Sequence, residues 1–189
     1  MKCPTCKTAN LAAKNLEPGL EGLGCADCAG VFIPFEKYLP WQEKVAPESG
    51  GGFAEALEEV RARAKELVAA EAPGPRLCPA CGRFMGRFRA SVDMPFHVDR
   101  CGGCASVWLE KGEWETLKER GLTAKLHMIS ADAWQKHIRE AEARHQQEQR
   151  YRTLLGEADY ERTREFKRWL DGHVKKEIVF AYLEDREVT

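Results

Sequence analysis

The sequence predicts an α+β fold, in which two small antiparallel β-hairpin units are joined by a helix and followed by an α-helical C-terminal region. Eight cysteines, arranged as four Cys-x-x-Cys pairs, repeat as two similar units. Apolar residues recur at helical spacing between the units, and charged, amphipathic segments fill the last third of the chain. The first hairpin unit is predicted over residues 1–46, and the second over residues 76–121. A flexible break and the linker helix occupy residues 47–75, and the helical C-terminal region occupies residues 122–189.

The cysteine repeat defines two candidate metal sites. Within each unit, 18 or 19 residues separate the two Cys-x-x-Cys pairs. Four thiolates in two close pairs are the ligand set of a closed tetrahedral zinc site, which has no open position for water or substrate. The sequence therefore predicts two structural Zn²⁺ ions per chain and no metal catalysis. The predicted ligands are Cys3, Cys6, Cys25 and Cys28 in the first unit, and Cys78, Cys81, Cys101 and Cys104 in the second.

The repeat continues beyond the cysteines into a strand and a short helix. Residues 28–33 read Cys-Ala-Gly-Val-Phe-Ile, and residues 104–109 read Cys-Ala-Ser-Val-Trp-Leu. We expect Trp108 and Trp114 to pack the second unit against its own short helix. Residues 14–19 are poor strand sequence. The hairpin of the first unit should therefore be shorter or less regular than that of the second.

The segment between the units contains clear signals for a break and for the end of a helix. Residues 49–52, Ser-Gly-Gly-Gly, predict a flexible break. Apolar residues from Phe53 to Leu67 then recur every three or four positions, which predicts one face of a linker helix. Pro73 and Pro75 should end this helix, because proline removes a backbone donor.

The C-terminal region is predicted to be a helical hairpin or small bundle. Its first helix has an apolar face of Trp134, Ile138 and Ala141. A second helix should begin near Asp159, and a third should span Val174 to Leu183. We expect the aromatic side chains to build the helical core, although some of them would instead suit a partner-binding face. These residues are Trp134, Phe166, Trp169, Phe180 and Tyr182.

Charge and hydropathy exclude several classes of function. The formal net charge is −1, so no global basic field attracts nucleic acid or acidic membranes. No apolar run approaches membrane-spanning length, and a cysteine pair stands where a signal peptide would need an apolar core. A cytoplasmic location is expected, where repeated Cys-x-x-Cys pairs indicate metal ligands rather than disulfides.

Residues 78–117 resemble the transcription factor IIB-type zinc ribbon of bacterial proteins. The resemblance rests on Cys-Pro-x-Cys, an apolar hairpin, and Cys-x-x-Cys followed by Val107, Trp108, Leu109, Gly112 and Glu113. Residues 3–41 resemble a weaker second copy, with Phe32 in the place of the tryptophan and without the Gly-Glu pair. The resemblance implies two rubredoxin-like ribbons that bind zinc, and it does not imply general transcription factor activity.

The sequence is compatible with three functions. We favour a non-enzymatic protein-interaction module or adaptor, because no catalytic constellation or phosphate-binding glycine loop is present. A nucleic-acid-binding or transcription-associated ribbon is the first alternative. A thiol redox protein, or a switch that releases zinc on oxidation, is the second. Candidate contacts for nucleic acid or a partner are Arg83, Arg87, Arg89 and Arg100, which alternate with phenylalanines.

Overall fold

The computed structural model describes residues 1–45, 74–94 and 96–185. The predicted linker helix, from Phe53 to Leu67, lies outside the described residues. The chain divides into two compact units, Met1–Glu140 and Ala141–Thr189. The finer boundaries expected from the sequence stay a prediction.

The first unit is built on one six-stranded antiparallel sheet, which confirms the α+β class. Its strands follow the order β1-β2-β3-β6-β5-β4, so each ribbon contributes one half of the sheet. The strands are β1 (Ala12–Glu17), β2 (Leu20–Gly24), β3 (Val31–Ile33), β4 (Met85–Arg89), β5 (His97–Cys101) and β6 (Val107–Leu109).

The two ribbons join where β3 pairs with β6. Phe32 lies directly opposite Trp108, and these two residues are equivalent positions of the sequence repeat. Val31 lies opposite Leu109, and Ile33 opposite Val107. An antiparallel pairing of equivalent strands about equivalent residues has local two-fold symmetry, as an isologous interface between two subunits would have. The repeat therefore forms one continuous sheet.

The two faces of this sheet carry different cores. Side chains alternate between faces along a strand. Val31, Ile33, Val107 and Leu109 accordingly contribute to the core on one face, while Phe32 and Trp108 contribute to a second core that contains buried cysteines. The expectation that Trp108 packs against the short helix is therefore wrong, since it lies on the opposite face; Trp114 lies in the core that contains helix residues, as expected.

Helices from both halves of the repeat, and helices that follow the second ribbon, contribute to the first core. They are α1 (Phe35–Val45), α2 (Glu113–Glu119), α3 (Leu126–Ile129) and the first half of α4 (Asp132–Leu155), with a 3₁₀ turn at Thr123–Lys125. The rings of Trp41 from the first half and Trp114 from the second are 6.1 Å apart. Trp134, at the start of α4, is fully buried and donates its indole N–H to the Ala90 carbonyl at 3.0 Å. The predicted apolar face of this helix is confirmed, since Ile138 and Ala141 are also buried.

The first hairpin is less regular than the second, as predicted, but it is not shorter. β1 has six residues and β4 has five, so the hairpin of the first ribbon is not the shorter one. Pro18 and Gly19 form its two-residue turn between the paired residues Glu17 and Leu20, and Gly19 takes a φ of 83° that glycine tolerates without strain. The expected irregularity is present, as a shift of register between Asn15 and Glu17.

The second unit contains the rest of α4, α5 (Glu157–Asp171) and α6 (Lys176–Glu184). Both predicted C-terminal helices are confirmed. The predicted aromatic core of this region is wrong: Phe166, Trp169, Phe180 and Tyr182 are all exposed, and on α5 only Leu170 is buried. Helical periodicity identifies an apolar face, but it does not determine what covers that face.

Candidate metal centres

All four Cys-x-x-Cys turns have the same backbone geometry. In each turn, the residue after the second cysteine donates its N–H to the carbonyl of the first cysteine and has a positive φ. This tight turn directs both sulfurs of a pair to the same side. Only one of the four residues is glycine, so three turns place a side chain in the left-handed region. The residues and φ angles are Lys7 (63°), Ala29 (59°), Gly82 (71°) and Ala105 (58°).

The sulfur atoms in each ribbon are arranged to fit a zinc ion. In the first ribbon Cys3 Sγ lies 3.7 Å from Cys28 Sγ, and Cys25 Sγ lies 3.8 Å from Cys6 Sγ. In each ribbon all four sulfurs lie within 4.8 Å of one another. A tetrahedral site with Zn–S bonds of about 2.3 Å separates its sulfurs by about 3.8 Å. The two four-cysteine groups therefore fit one Zn²⁺ each.

One ligand of each ribbon, at equivalent positions of the repeat, has a pKa below the usual value of a thiol. Burial raises the pKa of the Cys101 thiol, but hydrogen bonds from the backbone amides of Cys104 and Gly103 outweigh burial and bring that pKa to about 7. Cys25, the equivalent cysteine of the first ribbon, has a pKa of about 7 by the same balance. At Cys78 burial dominates and raises the pKa to about 12. A bound dication compensates the charge of such buried thiolates, and backbone donors disperse part of it.

The closed ligand set determines the chemistry that these sites support. Cys3, Cys25, Cys78 and Cys101 are buried, and four sulfur ligands complete a tetrahedral shell. Among the residues that the structure describes, these two groups are the clusters of His, Cys, Asp or Glu arranged to hold a metal. The sites therefore suit a structural role, in which zinc stabilises a ribbon with little apolar core of its own.

The two metal sites share one core, and its two halves differ in size. Phe32, Met85 and Trp108 lie in the same buried cluster as cysteines of both ribbons. A Cβ atom on Gly30 would lie 2.3 Å from Trp108 Cζ2, so this position must be glycine for the indole to fit. The equivalent position in the second ribbon is Ser106, and the ring equivalent to Trp108 is the smaller Phe32. The larger ring, Trp108, therefore packs against the smaller residue, Gly30.

A buried ion network links the two ribbons, and the sequence did not predict it. Arg76 is almost fully buried; it contacts Asp99 Oδ2 at 2.5 Å and forms a second ion pair with Glu110. Its Nε also lies 3.5 Å from the Thr5 hydroxyl in the first turn of the other ribbon. Glu113 accepts the backbone N–H of Glu110 at 2.8 Å. The Gly-Glu pair of the second ribbon was the available signal, because its glutamate holds the backbone of Glu110, which directly follows β6.

The four candidate arginines do not form one patch. By register, Arg87 lies opposite Asp99 and Arg100 lies opposite Gly86, which places these two arginines on opposite faces of the sheet. Arg89 donates to the carbonyls of Val92 and Met94 at 3.0 and 3.3 Å, so it holds the turn of its own hairpin. Arg83 is exposed beside the third cysteine turn. Their role as contacts stays a prediction.

The phenylalanines between these arginines have separate environments. Phe96 is fully buried and Phe88 is partly buried against the helix-covered core. Phe84 is 71% exposed, and it pairs through an isolated bridge with Leu77, which is also exposed. The equivalent bridge in the first ribbon joins Lys2 and Asn10. The second ribbon therefore presents a small apolar pair that the first lacks.

Comparison with known proteins agrees with the geometry of the second ribbon. Residues 77–120 match the family model of the TFIIB-type zinc ribbon, described as a transcription factor zinc-finger. The first ribbon carries the second four-cysteine group of the pair, consistent with two tandem ribbons. No curated protein and no solved structure matches the chain. Among the described residues, no helix is both long and apolar enough to cross a bilayer.

Proposed function

We propose that this chain, with its TFIIB-type zinc ribbon, is a non-enzymatic interaction module whose C-terminal helices bind another protein. In this account the two ribbons form a rigid zinc-stabilised scaffold in the reducing cytoplasm. The observation that carries the proposal is that the second unit lacks a core of its own. Of its described apolar residues, only Ala141 and Leu170 are buried.

The second unit exposes many large apolar side chains that a partner would cover. Ten large apolar side chains between Tyr151 and Leu183 are between 41% and 98% exposed. Short helices are marginally stable in water without tertiary packing. An interface of standard size buries about 800 Å² on each partner, with aromatic residues at its centre. A protein partner that covers these side chains would supply the packing that the unit lacks.

The exposed side chains of α6 and the turn before it are arranged for such contact. Ile178 and Tyr182 are four residues apart on α6 and therefore lie on one face of the helix, and Val174 lies in the turn before it. Each of them is more than 60% exposed. Trp169 and Phe166, on the preceding helix, stack at 5.4 Å between ring centroids and are also exposed. Aromatic residues in this setting are typical binding hot spots.

A nucleic-acid-binding ribbon is the second candidate. It is favoured by one observation, the exposed Phe84 and Leu77 beside Arg83, since an exposed ring next to a cation can stack on a base and contact phosphate. Binding that falls steeply with salt and depends on Phe84 would support this candidate.

The test uses the full-length, zinc-loaded chain. A protein captured from native lysate is purified, and its affinity is measured by calorimetry for the wild type, for V174S/I178S/Y182S and for the matched ribbon variant F84S. We expect the helix variant to lose at least tenfold in affinity and F84S to bind as the wild type does. Loss on F84S alone, or capture of nucleic acid only, would overturn the proposal.

A further inference from the structure

The second unit contains an open cleft between α4 and α5. Its volume is about 830 Å³. Gly156 separates the two helices in the sequence, so they are joined at one end of the cleft. The lining residues are Ala143, Arg144, Gln147, Glu148, Tyr151 and Leu155 on α4, and Tyr160, Thr163, Arg164 and Lys167 on α5.

The α4 side of the cleft has the pattern of a helix-binding groove. On α4, Ala143, Gln147, Tyr151 and Leu155 recur every four residues and form one stripe. Tyr151 and Leu155 are large and exposed, so their apolar surface is available to a ligand. Two helix stripes that flank a groove accept the apolar face of a third, amphipathic helix.

A charge network near Gly156 contains Glu148, the one acidic residue among those that line the cleft. The Arg152 guanidinium lies 4.3 Å from the centre of the Tyr160 ring and 3.0 Å from Glu161. The Tyr160 hydroxyl donates to Glu148 at 2.8 Å, and Glu148 also lies 3.6 Å from Arg152. Glu148 is therefore compensated within the unit.

The remaining charged groups of the lining are all basic. Arg144 forms no ion pair with any residue that the structure describes, Arg164 approaches Glu161 only at 3.6 Å, and Lys167 approaches Asp171 only at 3.9 Å. Exposed pairs at such distances contribute little energy. The lining therefore combines apolar side chains with positive charge, and positively charged ligands would be repelled.

We infer that the cleft binds an amphipathic helix whose apolar face is flanked by aspartate or glutamate. The inference rests on the proposed function, since it assigns a chemistry to the partner of the same helical unit. Apolar contact with Tyr151 and Leu155 supplies affinity, and the cations Arg144, Arg164 and Lys167 select the acidic ligand.

The probes are two labelled synthetic amphipathic helices of about 18 residues, roughly five turns. They share one leucine face, and their flanking positions carry glutamate in one and lysine in the other. Fluorescence anisotropy with the zinc-loaded full chain, at about 0.1 M salt, compares the wild type with R144E/K167E. The matched control is R162E, because Arg162 lies on α5 outside the lining and is highly exposed.

We expect the wild type and R162E to bind the acidic peptide at least tenfold more tightly than the basic one, and R144E/K167E to reverse the preference. Equal binding of both peptides, binding of neither, or an unchanged preference in R144E/K167E would overturn the inference. Self-association of the free chain that R144E/K167E abolishes would also overturn it, because a second copy would then occupy the cleft. None of these results changes the test of the V174S/I178S/Y182S variant with the purified partner, so the two proposals fail separately.

Discussion

Replacing Gly30 with alanine tests the shared core between the two metal sites. The new Cβ would lie 2.3 Å from Trp108 Cζ2, 2.7 Å from Cη2 and 3.1 Å from the Leu109 carbonyl oxygen. Trp108 is fully buried between the two ribbons, so its ring has no free space to move into. Overpacking of this kind costs about 1–3 kcal/mol, and we expect G30A to lie at the upper end of that range.

The double variant G30A/W108F isolates the contact. Phenylalanine is smaller than tryptophan and lacks the outer atoms Cζ2 and Cη2 of the indole, which approach Gly30. The equivalent position of the first ribbon already holds Phe32. W108F alone should be destabilising, because it leaves a cavity. G30A should add little to it, so that the coupling free energy is at least about 1 kcal/mol.

The assay is equilibrium unfolding of the zinc-loaded chain in guanidinium chloride, followed by circular dichroism. Gly102→Ala is the matched control, since a Cβ at this turn glycine would meet no atom within 4 Å. The control should stay within about 0.5 kcal/mol of the wild type. If G30A were as stable as the wild type, or if its effect simply added to that of W108F, the packing between Gly30 and Trp108 would not exist.

Three further variants test the turns, the ion network and the joined sheet. Ala105→Gly should stabilise the chain by about 0.5–1 kcal/mol in the same unfolding assay, because Ala105 has a φ of 58°; a destabilised variant would contradict the left-handed turn. Arg76→Met should cost about 3–5 kcal/mol, because it removes the buried cation that pairs with Asp99 and Glu110, and a cost below 1 kcal/mol would show that these groups are solvated. Cys101→Ser should raise amide hydrogen exchange in β3 as well as in β4–β6, because the ribbons share a sheet; protection retained in β3 would mean that they fold independently.

The ligands and the repeat could be predicted from the sequence because cysteine chemistry is local. Two residues between paired cysteines limit how their sulfurs can lie, so Cys78 and Cys81 indicate a metal site before any fold is known. The short helix after each ribbon was predicted from the same repeat, which continues beyond the cysteines. Their buried residues Tyr38 and Trp114 are adjacent to the repeated motif.

The joining of the ribbons depends on contacts between distant segments, which local patterns do not specify. One signal was present: Val31-Phe32-Ile33 and Val107-Trp108-Leu109 are apolar at every position. A strand without polar alternation is covered on both faces, and such strands lie inside a sheet rather than at its edge. The length of each ribbon gives no indication that β3 pairs with β6 of the other ribbon.

The C-terminal helices were predicted correctly as helices, but the burial of their side chains was not. Helical spacing predicted their existence, but Phe166 and Trp169 were assigned to a core that the described part of the unit does not have. An apolar helix face has the same pattern whether it packs within the chain or against a partner. The exposure of Ile178 and Tyr182 could be learned only from the structure, and it is what gives the helical unit its proposed role.

Native mass spectrometry of the full-length chain, purified under reducing conditions, tests the central claim most directly. The account predicts a mass equal to that of the chain plus two zinc ions, with all eight cysteines in the two four-cysteine groups. A chain that carries one zinc ion or none, or one whose cysteines are paired as disulfides, would contradict it.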